Sequence, residues 1–447
     1  MVEDGMNRCL RNLGTIMNNR HRYEKSESHL KLAEQVIPLG SQTFSKSRTQ
    51  YPVGVSPLYA LRAKGCRIQD LDGNWYIDLV NSLAAITLGY RDHQINKAVV
   101  KQLAKGVIFS LPGVLEEEVA SLIVSMVPSA ELVRFGKNGS DATSAAVRLA
   151  RAYTQREIVA VCGYHGWQDW FIGSTSRDKG VPKDTKALTK SFKYNDIDSL
   201  IDLIAKHPNE IAAVIMEPMN NTYPQKEFLE EVRSLCSKNG MVLIFDETIT
   251  GFRFSRGGAQ EYFNVIPDLS TFGKGVANGF PLSIVTGKRE IMMEMEEIFF
   301  SGTFGGELLS LAAAKVVLEK HAKKNIAGKL DQKGKYLADR VNQIIKEKNL
   351  EEVLNLSGHP SWIFLNWKEA NGYSVDEIKT FFMQEMFAHG ILILNTHNIS
   401  ISMSKKDLNK IVNAYDKTLK SLSRSLSERN LREHLKVEPI KPLFKIR

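Results

Sequence analysis

Short apolar runs alternate with helical patterns through the middle of the chain, from about residue 130 to residue 290. The runs are too short for helices and too apolar for surface strands, so they predict buried strands. Strands that alternate with helices predict an α/β fold, with a mostly parallel sheet covered on both faces. The predicted strands are 132–135, 158–161, 211–216, 241–245, 269–272 and 282–285, and helices between them include 141–153 and 226–238.

The two flanking parts of the chain predict a smaller companion domain. Two strand-like segments enclose Asp72-Gly73, a strong hairpin signal. Helices are predicted over 308–320 and 325–349, and strands over 362–365 and 391–394. We therefore predict a large domain at 96–320 and a small α+β domain from 1–95 and 321–447. Beyond Ser421 the polar, basic tail predicts a helix and then an extended arm.

Polar and glycine-rich residues follow five of the predicted strands. Ligands of open α/β sheets bind outside the carboxyl ends of the strands, so these residues predict one binding edge. They are Gly139-Ser140-Asp141, Tyr164-His165-Gly166, Glu217-Pro218, Asp246-Glu247 and Gly273-Lys274.

Asp246 and Lys274 make a chemically specific pair at that edge. Lys274 is a lone amine between Gly273 and Gly275, which is typical of a lysine that forms a Schiff base. Pyridoxal phosphate needs such an amine for its aldehyde, and a carboxylate that keeps its ring nitrogen protonated. From these two residues alone, a structural ion pair or two solvated loops remains an equal alternative.

Three more segments could complete a cofactor site. Gly139-Ser140-Asp141 follows a strand and opens a helix, where backbone amides and the helix dipole favour a phosphate; an ordinary helix cap is the alternative. Tyr164 could stack on a pyridine ring, and His165 could form a hydrogen bond near Asp246. The glycine-rich segment from Ser301 to Glu307 is either a second phosphate loop or a plain turn.

Composition limits the classes of function. Hydrophobic residues make up 43% and charged residues 24% of the 447-residue chain, which indicates a packed interior. The formal charge of +9 favours anionic ligands, but the basic residues are dispersed, so we expect no nucleic-acid partner. Without an apolar span or a signal peptide in Met1 to Arg20, we expect a cytoplasmic protein without membrane contact.

The four cysteines carry no metal-site or disulfide spacing. They are far apart in sequence and predict free thiols in a reducing compartment, and we expect no metal site. They are Cys9, Cys66, Cys162 and Cys236.

Together these motifs resemble the class III aminotransferases, which are pyridoxal-phosphate enzymes of fold type I, and most closely their glutamate-1-semialdehyde aminomutase branch. The resemblance covers roughly residues 28–420. Its most specific segments are Gly139-Ser140-Asp141-Ala142, Tyr164-His165-Gly166, Ile244-Phe245-Asp246-Glu247, Thr250-Gly251-Phe252-Arg253, Gly257-Gly258-Ala259-Gln260, Pro267-Asp268-Leu269, Phe272-Gly273-Lys274-Gly275 and Gly302-Thr303.

The resemblance implies roles for single residues. Lys274 would be the Schiff-base lysine, Asp246 the partner of the ring nitrogen, Tyr164 the stacking residue, and Gly139 with Ser140 the phosphate cradle. It also implies a homodimer in which Thr303 reaches the phosphate held by the partner subunit. Asp141, His165 and Glu217 complete the predicted cofactor site, and Lys274, Asp246 and Tyr164 are the predicted catalytic residues.

Three segments depart from the aminomutase pattern. Aminomutases usually carry an arginine in the segment matching 42–46, where this chain has Lys46, and a glutamate in the segment matching 395–398. Their Ser-Gly-Asn-Pro stretch reads Gly305-Gly306-Glu307-Leu308 here. Segments 41–45 and 303–307 resemble a sub-branch associated with surface-polysaccharide or nucleotide-sugar gene clusters.

We therefore predict a homodimeric aminotransferase that uses pyridoxal 5'-phosphate, a small-molecule amino donor and a carbonyl acceptor. Two alternatives stay open. One is an aminomutase of the glutamate-1-semialdehyde type, and the other is a catalytically silent binding protein of the same fold, which the presence of both Lys274 and Asp246 argues against.

Overall fold

The computed structural model describes residues 21–441, and this part of the chain divides into two compact units. The terminal unit contains the chain up to Asn81, Lys333–Ser357 and the chain from Trp362 onward. The central unit contains Ser82–Gln332 and Gly358–Ser361, whereas the sequence predicted boundaries after residues 95 and 320. The predictions for Met1 to Arg20, Cys9 and the end of the basic arm lie outside the described residues.

The strands and helices alternate along most of the chain. The strands are β1 Ala60–Lys64, β2 Arg67–Asp70, β3 Trp75–Asp78, β4 Leu132–Gly136, β5 Ile158–Cys162, β6 Thr189–Ser191, β7 Ile211–Met216, β8 Val242–Asp246, β9 Leu269–Phe272, β10 Ser283–Gly287, β11 Leu354–His359, β12 Trp362–Trp367, β13 Ile391–Leu392 and β14 Thr396–Asn398. The helices are α1 Glu24–Ala33, α2 His93–Leu103, α3 Val114–Met126, α4 Gly139–Thr154, α5 Asp169–Ile172, α6 Lys183–Ala187, α7 Ile197–Lys206, α8 Phe228–Asn239, α9 Ala259–Phe263, α10 Arg289–Met292, α11 Leu308–Lys323, α12 Ile326–Glu347, α13 Val375–Ala388, α14 Lys405–Ser427 and α15 Leu431–His434.

A seven-stranded sheet forms the middle of the central unit, in the order β4-β10-β9-β8-β7-β5-β6. Neighbouring strands from β6 to β9 pair in parallel. Only β10 among the strands of this sheet runs the other way, because it pairs antiparallel with both β4 and β9. The predicted mostly parallel α/β sheet is therefore confirmed, and the carboxyl ends of β4, β5, β7, β8 and β9 lie at one edge.

Alternate residues of this sheet enter two different hydrophobic layers. Val161, Ile215 and Ile244 pack on one face with the alanine-rich side of α4, whereas Leu243 and Phe245 pack on the other face with α8. Both faces are buried, so the strands appear in sequence as continuous apolar runs instead of alternating ones. The layers hold the strand ends in fixed register.

A third hydrophobic cluster includes Phe272 of β9 and Ile284 of β10 and supports the segment that carries Lys274. Val276 and Ala277, in the short 3-10 helix Lys274–Ala277, pack with Leu311 and Leu318 of α11 and with residues of α3. This packing anchors the chain immediately after Lys274.

The terminal unit is an α+β structure. Its four-stranded sheet has the order β1-β2-β3-β13, and the antiparallel pairing of β2 with β3 confirms the predicted hairpin around Asp72-Gly73. A three-stranded sheet has the order β11-β12-β14, and α13 packs against α14. Among residues 21–441, no helix is both long and apolar enough to cross a membrane.

Candidate active site

The strand register brings the predicted polar segments together. Cys162 at the end of β5 pairs with Met216, Met216 pairs with Phe245, and Asp246 pairs with Thr271. The residues that follow these positions therefore leave the sheet side by side. Within the central unit, the loops carrying Tyr164, Glu217, Asp246 and Lys274 share one edge, as the sequence predicts for a ligand site.

Asp246 is held by hydrogen bonds on both carboxylate oxygens. Its Oδ2 lies 2.9 Å from Nδ1 of His165, and its Oδ1 accepts from the Thr248 amide at 3.1 Å and from Thr271 Oγ1 at 3.2 Å. Burial by itself raises the pKa of the Asp246 carboxyl, but His165 and the Thr248 amide outweigh it and leave the pKa below its ordinary value. Asp246 is therefore ionised although it is only 5% exposed.

The ring of His165 lies between two oxygen atoms and is almost fully buried. Its Nε2 lies 3.2 Å from the carbonyl oxygen of Cys162, and its Nδ1 lies 2.9 Å from Oδ2 of Asp246. These two contacts fix the ring against the end of β8. The contact with Asp246 confirms the hydrogen bond that the sequence predicted there.

The loop after β4 and the loop after β5 meet at Ser140. Its Oγ accepts from the Trp167 amide at 3.3 Å. Gly166 has φ +109, and a Cβ there would lie 2.8 Å from Ser140 Cβ, so glycine is required on both counts. Thr143, one turn into α4, donates to the His165 carbonyl at 2.8 Å. The start of α4 is therefore fixed directly against the Tyr164-His165-Gly166 loop.

Asp141 shapes the start of α4. Its Oδ2 accepts from the backbone amides of Lys137 at 3.1 Å and Asn138 at 2.7 Å, which is half of a capping box. A carboxylate repels phosphate, so we assign its part in the predicted site to holding the loop before α4 in shape. The segment 139–141 therefore does cap its helix, which was the alternative to a phosphate loop, and this cap leaves the phosphate-loop prediction open.

Gly139, Thr248 and Gly273 converge beside Lys274. A Cβ on Gly139 would lie 3.1 Å, and one on Gly273 3.3 Å, from Thr248 Cγ2. A Cβ on Gly273 would also lie 3.9 Å from the Gly139 Cα. The phosphate loop therefore adjoins the residue next to Lys274. Thr248 Oγ1 is buried at this point and makes no hydrogen bond of ordinary geometry, and it adds to the lowering of the pKa of Asp246.

Lys274 has a left-handed backbone with φ +45 at the start of its 3-10 helix. The next residue is constrained as well, because a Cβ on Gly275 would lie 2.7 Å from Thr87 Oγ1. Non-glycine residues with positive φ are uncommon and concentrate at functional sites. Packing on both sides of Lys274 thus fixes the origin of its side chain.

Tyr164 and Glu217 occupy neighbouring loops at the same edge. The half-buried Tyr164 ring packs edge-on against Phe171, with centroids 5.5 Å apart. Burial and the Asp246 charge raise the pKa of its phenol, so the ring is neutral. Glu217 accepts from the Tyr164 amide at 3.3 Å, and a Cβ on Gly163 would lie 2.6 Å from its Oε2. Glu217 therefore positions the Tyr164 loop.

Thr303 stands apart from these residues. It is exposed within its own chain, on the segment that leads to α11. Glu307 caps α11 through the Leu309 amide at 2.7 Å, and its Oε2 lies 3.1 Å from Lys137 Nζ. Burial by itself raises the pKa of Glu307, but the contacts with Ser310 and Lys137 outweigh it and leave the pKa below its ordinary value. Glu307 is therefore ionised and pairs with Lys137. This pair links the Thr303 segment to the loop before α4.

Sequence reasoning missed Thr248 and Thr271 and the close approach of Gly163 to Glu217. Thr248 lies two residues after Asp246, and that spacing alone could have drawn attention to it. Thr271 lies inside an apolar strand, where nothing in the sequence distinguishes a ligand of Asp246 from a core residue.

This fold and site define a pyridoxal-phosphate enzyme of fold type I. The chain belongs to the class-III aminotransferases, because that family's model matches residues 50–417. The family and a solved structure of 27% identity in the pyridoxal-phosphate internal aldimine form identify the cofactor as pyridoxal 5'-phosphate.

Relatives with assigned names extend over most of the chain. The glutamate-1-semialdehyde 2,1-aminomutase of Methanosarcina acetivorans is 34% identical, over 87% of this chain and 100% of the relative. The 3-aminobutyryl-CoA aminotransferase of Cloacimonas acidaminovorans is 31% identical, over 92% of this chain and 100% of the relative. Neither name supports the surface-polysaccharide or nucleotide-sugar role suggested by segments 41–45 and 303–307.

Solved structures agree with the fold. The pyridoxal-phosphate internal aldimine form of the FumI protein of Sphingopyxis sp. MTA144 has a TM-score of 0.84 and 27% identity, over 92% of this chain and 98% of that chain. An omega-transaminase from Sphaerobacter thermophilus has a TM-score of 0.79 and 28% identity, over 89% of this chain and 97% of that chain.

The residues at the sheet edge fit this cofactor. The ionised Asp246 supplies the carboxylate that a protonated ring nitrogen needs, and the glycines at 139 and 273 leave room where side chains would intrude. The start of α4 supplies backbone donors for a phosphate. Thr248 Oγ1 is a buried hydroxyl beside the Asp246 carboxylate that makes no hydrogen bond of ordinary geometry within residues 21–441.

Proposed function

We propose that this enzyme moves an amino group from a small-molecule donor to a separate aldehyde or ketone, with Lys274, Asp246 and Tyr164 as its catalytic residues. The observation that carries the proposal is the ionised Asp246, paired with His165, on the strand next to the one that leads to Lys274. A silent binding protein would not need a buried, ionised carboxylate, which is costly to desolvate, on the strand next to the one that leads to a constrained lysine.

When bound, pyridoxal phosphate supplies an aldehyde that accepts the amino group and a ring that withdraws electrons. Asp246, which His165 helps to keep ionised and oriented, would keep the ring nitrogen protonated. Lys274 Nζ would hold the cofactor and move a proton during the transfer. Tyr164 would stack on the ring, and Gly139 and Ser140 would hold the phosphate with the amides of α4.

Two segments of the terminal unit favour a transferase over a mutase. Lys46 is an exposed residue of the short 3-10 helix Phe44–Lys46, and a lysine cannot form the two-point contact to a carboxylate that an arginine forms. In the segment matching the aminomutase glutamate, His397 Nε2 is bonded to Tyr415 at 2.6 Å and Asn398 donates to the Val80 carbonyl at 2.8 Å. These side chains support the unit's core and supply no carboxylate.

The second candidate is an aminomutase of the glutamate-1-semialdehyde type. The specific observation in its favour is the name shared by several relatives, including those of Methanosarcina acetivorans and Methanococcoides burtonii at 34% and 35% identity.

Acceptor dependence separates the two candidates. With glutamate as a trial donor and no acceptor, we expect a transferase to lose the visible band of its bound cofactor and then to stop. Adding a carbonyl acceptor should restore the band and release the aminated product. Lys274→Ala should show neither change, whereas Lys238→Ala, at an exposed lysine of α8, should behave like wild type.

A contrary result would be clear. Rapid isomerisation of glutamate-1-semialdehyde without an acceptor would establish the mutase. A visible spectrum that is the same in wild type and Lys274→Ala, before and after borohydride, would remove Lys274 from the cofactor site.

We also propose a cytoplasmic homodimer. Exposed apolar side chains near Thr303 support the assembly: Phe304 is 60%, Leu111 77% and Val114 75% exposed. The segments are adjacent, because the Leu308 amide donates to the Val107 carbonyl at 2.9 Å. Large exposed apolar side chains on adjacent segments support a protein interface here. The cysteines at 66, 162 and 236 are buried free thiols, which supports a reducing compartment.

A further inference from the structure

A basic cavity lies in the central unit at the junction of α11 and α12. Its volume is about 260 Å³. The end of α11, the connecting residue Asn325 and the first residues of α12 line it, together with Arg256 from the segment before α9. None of its residues belongs to the strand-end loops that carry Asp246 and Lys274.

Three cations surround this cavity without a carboxylate among its lining residues. Arg256, Lys323 and Lys324 all line it, and none of them has an ion-pair partner within 4.0 Å in the chain from residue 21 to 441. One carboxylate, that of Glu261, feels the charge of Arg256, which lowers its pKa. Glu261 is not an ion-pair partner of Arg256, because it accepts hydrogen bonds from Ser255 and from the Gly257 amide at 2.7 Å. The cavity therefore carries a net positive charge.

His321 adds a buried polar atom. The residue lines the cavity and is 4% exposed, and its Nε2 has no hydrogen-bond partner within residues 21–441. Burial and then the Arg253 charge lower the pKa of His321 to about 4, so its ring is neutral near pH 7. A buried ring nitrogen without a partner costs free energy, and in the tautomer that carries its proton on Nε2 the ring would donate to a bound phosphate oxygen.

The start of α12 contributes in the same direction. Asn325 Oδ1 accepts from the Gly328 amide at 2.9 Å and caps the helix, and the Ile326 amide donates to the Lys324 carbonyl at 2.8 Å. Ile326 and Ala327 line the cavity, and the Ala327 amide is the donor that this helix start offers to a ligand. A helix start attracts negative charge, and phosphates bind there where cations converge.

We propose that this cavity binds a phosphate group, either free phosphate or that of a small phosphomonoester, at a site separate from the cofactor. Arg256, Lys323 and Lys324 supply the charge, and His321 Nε2 and the start of α12 supply directional contacts. The volume is below the roughly 300 Å³ at which pockets for drug-sized ligands begin, so the ligand is small.

The competing explanation is that Lys323 and Lys324 only balance the negative end of the α11 dipole. That role needs no cavity, does not involve Arg256 from another segment, and leaves Nε2 of His321 without a partner. The two explanations differ in whether a phosphate binds.

Calorimetric titration of the borohydride-reduced holoenzyme tests the proposal, because its own phosphate site then stays filled. Inorganic phosphate and glycerol phosphate are titrated separately in chloride buffer. Saturable binding of either is expected, and a preference between them identifies the source. In the triple variant Arg256→Gln, Lys323→Gln, Lys324→Gln we expect binding to weaken by roughly tenfold or more.

A charge-matched triple variant is the control. Lys97→Gln, Lys101→Gln, Lys105→Gln removes the same charge from an exposed face in and just after α2, and should leave binding unchanged. His321→Phe should weaken binding without changing the charge. Absence of binding by either phosphate compound, or equal binding by the two triple variants, would overturn the proposal.

Discussion

At the residue scale, Thr248 is an unusual member of the site. Its backbone amide and its hydroxyl both lower the pKa of Asp246, and its methyl group lies where side chains on Gly139 and Gly273 would reach. The buried hydroxyl makes no hydrogen bond of ordinary geometry within residues 21–441. A hydroxyl in this state adds little to the stability of the protein without cofactor, and its position is explained if it contacts the bound cofactor.

Thr248→Val should therefore have two separate effects. The variant should stay close to wild type in unfolding free energy without cofactor, because the buried hydroxyl has no hydrogen bond of ordinary geometry to lose and a methyl group of similar size replaces it. It should release the cofactor faster, with a dissociation constant raised by about tenfold for one lost hydrogen bond. Urea unfolding of the apoprotein and dialysis of the holoenzyme give the two quantities.

A threonine whose hydroxyl makes a hydrogen bond provides the control for Thr248. Thr286 Oγ1 donates to the Leu132 carbonyl at 2.6 Å, so Thr286→Val should lower the unfolding free energy by about 1 kcal/mol and leave cofactor release unchanged. If Thr248→Val behaved in the same way, the hydroxyl would have no part in cofactor binding.

At the element scale, the junction between α4 and the loop after β5 predicts the effect of a single methyl group. Gly166→Ala should destabilise the protein through its positive φ and should also displace Ser140, which weakens cofactor binding. Gly180→Ala isolates the first effect, because Gly180 has φ +91 and open space within 4 Å.

Both variants should lose roughly 1–2 kcal/mol to backbone strain, but only Gly166→Ala should lose cofactor affinity. Thermal unfolding and fluorimetric cofactor titration measure the two effects. Equal affinities in the two variants would show that Ser140 tolerates displacement.

The elements themselves were largely predictable from the sequence, whereas their arrangement was not. Buried strands are recognisable in the sequence as apolar runs. For example, β7 and α4 begin and end within a few residues of their predicted bounds. The antiparallel direction of β10 leaves no such mark, because a strand buried on both faces looks the same in either direction. The contacts of Ser140 with Gly166 and of Gly163 with Glu217 depend on that arrangement and join residues far apart in sequence.

At the scale of the whole molecule, three buried histidines predict a loss of stability in mild acid. Burial lowers the pKa of His321 and His359 to about 4 and that of His397 to about 3. Below pH 6.5 the unfolded chain takes up these protons and the folded chain does not, so each histidine costs about 1.4 kcal/mol per pH unit until its folded pKa is reached.

The urea midpoint of the apoprotein should therefore fall between pH 6.5 and about 4.5. Two carboxyls, those of Glu27 and Glu247, oppose this trend because burial raises their pKa, but they are fewer than the three histidines. Asp246 and Asp268 have a lowered pKa, so their contribution to stability is lost only below about pH 3.8. His321→Phe should reduce the slope and the exposed His93→Asn should not. A flat midpoint would contradict the assignment.

Assembly gives a second prediction at this scale. If Thr303 reaches the phosphate in the partner subunit, Thr303→Val should weaken cofactor retention and leave the dimer intact, because Thr303 is exposed and isosteric replacement keeps the apolar surface around Phe304. Sedimentation velocity and cofactor release measure these properties. An active, cofactor-loaded monomer would exclude the shared site.

The sheet order also governs when the site can form during synthesis of the chain. β4, which leads into Gly139 and Ser140, takes its place only by pairing with β10, so that Gly136 lies opposite Ser283. Contacts between such distant parts of a sequence form slowly, since a long loop must close first. A nascent chain that ends before β10 holds every predicted cofactor residue except Thr303, yet it lacks the strand that joins the phosphate loop to Lys274. Cofactor capture is therefore a late event in folding.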